Sequence, residues 1–305
     1  MSIFGLMNKH SKQISRCPLC NAEEKARFIG YKLNGPQGLF PQRNYKAAEK
    51  VFCCKQCDLF YNNPQVRLNE EVFNQDDSLL ELTTLPADHI KSVAGYADTL
   101  EFLKDKARLS PGAKVLDMGS GVGRVAFALK KAGYETYAVE PKKQLFDYAV
   151  ANDLIDKDRS FNKSFESAEF ERESLDFIFL EPLHHFTDPH AAIQKTLEWL
   201  KPGGYLHLEV VNSRWLYKNV LSLFYRFTLR KHVPYTSALR KPFNACEYSA
   251  KSFKVYSALN NLQVSQLSSY ACDTFISNKF LDKWLSRYMR RFNQGMELTV
   301  ILKKQ

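Results

Sequence analysis

The segment Lys114-Val115-Leu116-Asp117-Met118-Gly119-Ser120-Gly121-Val122-Gly123 leaves few folds open. An apolar run sized for one buried strand meets three glycines at alternate positions. A helix-forming stretch, Arg124 to Ala132, follows and stops at Gly133. A second strand over Glu135–Glu140 ends on a carboxylate. Strand, glycine turn, helix, strand and terminal acid make a nucleotide-binding βαβ half, the unit of an open α/β sheet. The turn needs glycine because a Cβ would keep the backbone from closing on a ligand. A carboxylate at the next strand's end can accept hydrogen bonds from both hydroxyls of a ribose.

Asp117 narrows the chemistry of that ligand. Gly121-Val122-Gly123-Arg124-Val125-Ala126 fits the GxGxxA form of a dinucleotide turn. A nicotinamide dinucleotide, however, brings an anionic pyrophosphate, which a carboxylate two residues before the first glycine repels. A cofactor bearing an ammonium and a sulfonium gains from the same charge. S-adenosylmethionine (SAM) fits better.

Further along, Leu175–Leu180 reads as a strand, His185-Phe186-Thr187-Asp188-Pro189 follows it, and Leu200-Lys201-Pro202-Gly203-Gly204 precedes a strand over Tyr205–Val210. With Asp117–Gly123 and Glu140, this ordered set resembles the class I SAM-dependent methyltransferases. The resemblance is strong over residues 112–212 and weaker beyond. It implies a Rossmann-like α/β fold with a seven-stranded mixed sheet whose last strand is antiparallel. Strands six and seven would be Leu262–Tyr270 and Met296–Leu302, with an amphipathic helix over Asn278–Phe292 between them. It also implies that Gly119, Gly121 and Gly123 line the methionine and ribose of SAM, that Asp117 lies beside its amino group, and that Glu140 takes the ribose hydroxyls. The adenine contact falls to Glu166 or Ser167, with Glu166 preferred.

Glu181, His184 and His185 fall where the family carries acceptor-facing residues. A histidine there can take a proton from a hydroxyl or amine; packing of the wall and helix start is the plainer reading. Asp188 and His190 lie close by, but the spacing straddles a turn and methyl transfer needs no metal.

Five of the seven cysteines crowd the N-terminal stretch. Cys17-Pro18-Leu19-Cys20 and Cys54-Lys55-Gln56-Cys57 form two CxxC pairs, the spacing at which two thiolates reach one ion. Asn21 and Asp58 follow them, the non-glycine types that best tolerate a left-handed backbone. A structural zinc ion, Zn(2+), held by Cys17, Cys20, Cys54 and Cys57 is expected, with Cys53 as the spare. Reduced cysteines without metal are the alternative, and a redox pair is disfavoured because no βαβ pattern surrounds either motif. The stretch Asn21–Phe52 reads as a long loop, and Leu59–Pro64 as a short strand. Such a module ahead of the catalytic domain resembles a methyltransferase subgroup acting on sugars, surface polysaccharides or secondary metabolites.

The expected organisation is a zinc-ribbon-like module over 1–66, a helical lead-in over 67–111 with one helix over Asp88–Leu109, and the methyltransferase domain over 112–305. A cap insertion spans about 211–248, where Leu216, Val220, Leu223, Phe224 and Phe227 share a helical stripe with Lys218, Arg226 and Arg230 interspersed. Substrate cap, packing helix and membrane-surface helix all stay open for it. Hydrophobic residues at 45% and charged residues at 25% speak for a globular chain. No membrane span or export signal is evident, so a cytoplasmic setting is expected. A net charge of +10 suits an anionic partner, a nucleotide-linked small molecule included. The expected function is methyl transfer from SAM to a small molecule. Its rivals are an RNA methyltransferase, disfavoured by the absence of a recognisable RNA-binding module, and a SAM-binding protein without catalysis.

Overall fold

The computed structural model describes residues 11–23, 26–33, 47–66, 80–91, 96–234, 244–272, 274 and 276–305. The N-terminal part forms β1 (Ser11–Lys12), β2 (Arg27–Leu33), β3 (Ala47–Cys53), β4 (Phe60–Asn62) and β5 (Gln65–Val66). The stretch expected as a loop therefore contains a hairpin, β2 against β3 antiparallel. Its alternation is broken by a register shift between Phe28 and Gly30, which hides the strand from a period-two reading. The residues joining the two strands, 34–46, lie outside the described set.

The lead-in is not one helix. It comprises α1 (Ala87–Ile90) and α2 (Ala97–Glu101), the latter widening into a π-turn over Phe102–Lys106. That turn ends where Arg108 takes a left-handed φ of 53° and Leu109 N–H donates to Leu103 O at 3.0 Å. Val93 and Ala94, within the helix expected over Asp88–Leu109, lie outside the described residues.

Next come β6 (Lys114–Met118), α3 (Arg124–Lys131), β7 (Glu135–Val139), α4 (Lys143–Ala151), β8 (Ser160–Phe161), β9 (Leu175–Leu180), α5 (Pro189–Trp199) and β10 (Leu200–Val211). They are followed by α6 (Leu216–Phe227), β11 (Cys246–Glu247), α7 (Ala250–Leu259), β12 (Leu262–Tyr270), α8 (Lys279–Arg291) and β13 (Glu297–Lys304). The α/β fold carries a seven-stranded mixed sheet in the order β12-β13-β10-β9-β6-β7-β8, its last strand antiparallel. The strands β8, β7, β6, β9 and β10 pair in parallel. β6 and β9 sit centrally, and every residue of β6 but Lys114 and of β9 but Asp176 is buried, which is why both are mostly apolar. β10 begins five residues earlier than Tyr205, with its ladder irregular between Leu200 and Tyr205, across Pro202, Gly203 and Gly204.

Two compact units interleave along the chain. One contains Glu70–Pro182, Ile193–Leu208 and Leu302–Gln305, with a core of Ile90, Val122, Ala126, Phe127, Ala138 and Leu145 among others. The other joins Met1–Asn69 to Leu183–Ala192 and Glu209–Ile301. Within it a four-stranded sheet runs β11-β4-β3-β2, so a strand from beyond residue 240 completes the cysteine-bearing sheet. Val233 packs with Val51, Cys53 and Phe60 beneath it.

Candidate functional site

The glycine turn leaves β6 with Gly119, Gly121 and Gly123 at φ of +83°, +54° and +85°. At Gly121 a side chain would meet nothing within 4 Å, so the turn there faces open space. At Gly123 a Cβ would lie 3.0 Å from Ile155 Cγ2 and 3.1 Å from Leu154 Cβ. Gly123 is thus demanded twice, by its backbone angle and by close packing.

Gly123 is also the N-cap of α3 and has no side chain to cap with. Asp117 supplies the cap from the strand: its Oδ2 accepts from Ala126 N–H at 2.9 Å. Its Oδ1 is enclosed without a partner, as are Ser120 Oγ and Arg124 Nε on the same turn. Asp117 is fully buried, and burial pushes its carboxyl up to about 7, with Ala126 N–H pulling it down and the charge of Glu140 adding to the rise. An enclosed carboxylate oxygen with nothing to accept from fits the cationic group of a ligand.

Glu140 follows β7 and is 5% exposed. One oxygen accepts from Gly121 N–H at 2.7 Å and the other from Lys142 N–H at 2.8 Å. Burial raises its carboxyl above the usual value, against the pull of the Lys142 and Gly121 amides. Each oxygen keeps a further lone pair for a hydroxyl donor. Glu166 and Ser167 are exposed, on a turn where Ser167 Oγ donates to Ser164 O at 3.1 Å and Lys195 Nζ to Glu166 O at 2.9 Å. All these residues belong to one compact unit.

Glu181 is exposed and opens a short 3₁₀ turn that ends at His185. The rings of His184 and His185 lie 4.1 Å apart between centroids. His184 retains some surface, but its Nδ1 is enclosed without a partner, while its ring also hydrogen-bonds the backbone of Glu209. Burial, then the charge of His185, holds it well below the ordinary imidazole range, hence neutral. Donation of the other ring N–H to the Glu209 carbonyl leaves Nδ1 with the free lone pair. His190 turns elsewhere, with Nδ1 3.2 Å from Tyr256 Oη.

The Sγ atoms of Cys17, Cys20, Cys54 and Cys57 lie within 4.8 Å of one another, with Cys17–Cys57 at 3.6 Å and Cys20–Cys54 at 3.7 Å. Four thiolates about 2.3 Å from one zinc ion stand about 3.8 Å apart, so the cluster has the dimensions of such a site. Both CxxC turns close alike: Asn21 N–H donates to Cys17 O at 2.9 Å and Asp58 N–H to Cys54 O at 3.0 Å. Asn21 and Asp58 take the left-handed φ of 57° and 63°. Cys53 stands apart, its Sγ 3.4 Å from Asp58 Oδ1, and burial pushes its thiol up to about 12. Asp58 also makes a two-pronged pair with Arg214, whose Nε is 2.8 Å from Asp58 Oδ2.

A sequence profile described as a methyltransferase domain matches residues 89–267, more than half of the chain. The chain belongs to the methyltransferase-domain family. A ubiquinone biosynthesis O-methyltransferase of Xanthomonas campestris is 32% identical over 106 residues, 33% of this chain and 44% of that protein. Phosphoethanolamine N-methyltransferase 1 of Triticum aestivum is 30% identical over 121 residues, 37% of this chain and 23% of that one. The chain spans less than half the length of these curated relatives. A SAM-dependent methyltransferase of Archaeoglobus fulgidus aligns with 73% of this chain and 97% of its own at 15% identity and a TM-score of 0.47.

The chain carries one polar cluster that sequence reasoning missed. Tyr270, ending β12, donates to Glu209 Oε2 of β10 at 3.0 Å and also faces Glu297 of β13. Burial and the nearby Glu297 charge push the Glu209 carboxyl up to about 7, opposed by the tyrosine hydroxyl. The three residues come from strands far apart in the chain. Only the position of Glu209 near the end of β10 offered a signal.

Proposed function

We propose that this methyltransferase moves the methyl group of SAM to a small-molecule acceptor, a sugar, polysaccharide precursor or secondary metabolite. The observation that carries this is the enclosed, unpartnered Oδ1 of Asp117 beside a glycine turn that Glu140 flanks. In this reading Asp117 receives the amino group, Gly119, Gly121 and Gly123 follow the methionine and ribose, and Glu140 accepts from the ribose hydroxyls. Glu166 or Ser167 meets the adenine. When bound, SAM supplies a methyl carbon already activated by its positive sulfur. The chain's residues then need to orient two ligands, exclude water and remove one proton where the acceptor carries it. In the same reading His184, its Nδ1 enclosed and unpartnered, is the proton acceptor and His185 and Glu181 are acceptor-facing residues, roles that the family resemblance assigns. The curated relatives, named for a quinone pathway and for phosphoethanolamine, support a small molecule over RNA.

Cys17, Cys20, Cys54 and Cys57 hold a structural zinc ion in this reading, because four thiolates leave no position for a substrate. The cytoplasm is the proposed setting; no helix among the described residues is long and apolar enough to cross a membrane. Titration calorimetry tests the core of the proposal. One SAM or S-adenosylhomocysteine should bind per chain, with no heat from NAD. Uptake of NAD by folded protein with none of SAM overturns it.

A further inference from the structure

Helix α6 turns an unusual face to the interior. Its buried positions are Lys218, Leu221 and Tyr225, and Lys218 Nζ is 2.5 Å from Glu247 Oε2 with both side chains buried. Outward it shows Tyr217, Val220, Leu223 and Phe227, the last 79% exposed, and Leu229 beyond it is 91% exposed. A globular helix ordinarily places its apolar stripe against the core and its lysines in water. Here a lysine is inside and a continuous apolar stripe outside.

Helix α8 repeats the pattern. Met289 is its buried residue, while Phe280 is 82% and Trp284 55% exposed, with Leu281 and Phe292 also outward. Lys279, Lys283, Arg287, Arg290 and Arg291 are exposed along it. Its acid, Asp282, hydrogen-bonds Thr274 Oγ1 at 2.5 Å. The start of α6 is tied to the segment after α8: Leu216 N–H donates to Gln294 O at 3.0 Å, and Asn212 Nδ2, just before α6, to Asn293 O at 2.9 Å. All of this lies within one compact unit.

Exposed apolar area on this scale marks an interaction surface, and the charges choose its occupant. A second copy would bring the same lysines and arginines against each other. A nucleic acid would use the cations and aromatic rings but gain nothing from Val220, Leu223 and Leu229. An anionic bilayer uses both, headgroups taking the cations and the acyl boundary taking the apolar side chains. From the outward apolar stripes of α6 and α8 and their flanking cations, we propose that these helices dock the protein reversibly on an anionic membrane surface. The proposal is independent of the methyl-transfer reading.

Vesicle sedimentation of the full chain tests it. Binding should be strong to phosphatidylcholine mixed with phosphatidylglycerol, weak to phosphatidylcholine alone, and should fall as salt rises. Leu223→Ser and Phe227→Ser should each weaken binding about tenfold or more. Arg287→Glu with Arg291→Glu should weaken it without touching the apolar stripe. Trp284 emission should shift to the blue on binding, a shift that Trp284→Phe removes. Unchanged circular dichroism and SAM affinity would show these variants folded. Three outcomes overturn the proposal: no vesicle binding, equal binding to neutral and anionic vesicles, or vesicle-free protein that binds RNA or dimerises through the same residues.

Discussion

At Asp117 the two carboxylate oxygens are committed differently, one to the Ala126 amide and one to an enclosed space. Its carboxyl near 7 lies above the unfolded value, so its contribution to stability is full at low pH and fades as pH rises through about 7. The ammonium of a bound ligand favours the ionised form. SAM affinity should therefore tighten from about pH 6 to about pH 8, with proton release visible in calorimetry across buffers of different ionisation heat. Asp117→Asn should flatten that dependence; an equally steep slope in the variant would sink the assignment. His184→Gln should lower kcat about a hundredfold or more with SAM affinity intact. Loss of SAM binding instead would mark His184 as packing. The glycine turn after β6 was legible as a turn because its positive φ angles admit few residue types. The Glu209–Tyr270 pair was not, since three strands meet there only after the sheet forms.

Among elements, the best-read were the buried parallel strands, because burial on both faces writes a plain apolar run. Leu175–Leu180 has the expected limits; the edge strand Leu262–Tyr270 has them too, but through its alternation, since only Ser269 in it is buried. Helix α8 spans Lys279–Arg291 behind its N-cap Asn278, whose side chain accepts from Phe280 and Leu281 amides. The lead-in misled because apolar spacing continues past the place where the chain leaves α-helix for a π-turn at Phe102–Lys106. The hairpin β2–β3 was hidden by its irregular register. Helix α7 shows how local wording fixes an element: Ser249 and Ser252 form a reciprocal capping box. Ser249→Ala should cost about 1 kcal/mol in denaturant unfolding. No change in the midpoint would show that the buried surroundings replace the cap.

For the whole molecule, the units do not follow chain order. The cysteine-bearing sheet is completed by β11, and the second CxxC turn is fastened to Arg214 through Asp58. The sequence displayed the CxxC pairs but not these partners, because neither ion pair nor β-bridge has a sequence period. If the four thiolates hold zinc, chelation or Cys57→Ser should lower the melting temperature. It should also speed amide exchange at Cys246 and Glu247, far outside the N-terminal segment. Exchange confined to residues 11–66 would contradict that coupling. The fastening has a consequence for biosynthesis. Asp58 and Arg214 are 156 positions apart, so on the ribosome the cysteine turns emerge long before the arginine and strand that complete them. The four thiols, all contributed before residue 58, can gather around an ion during that wait and keep a nascent sheet with an open edge from pairing with a neighbouring chain.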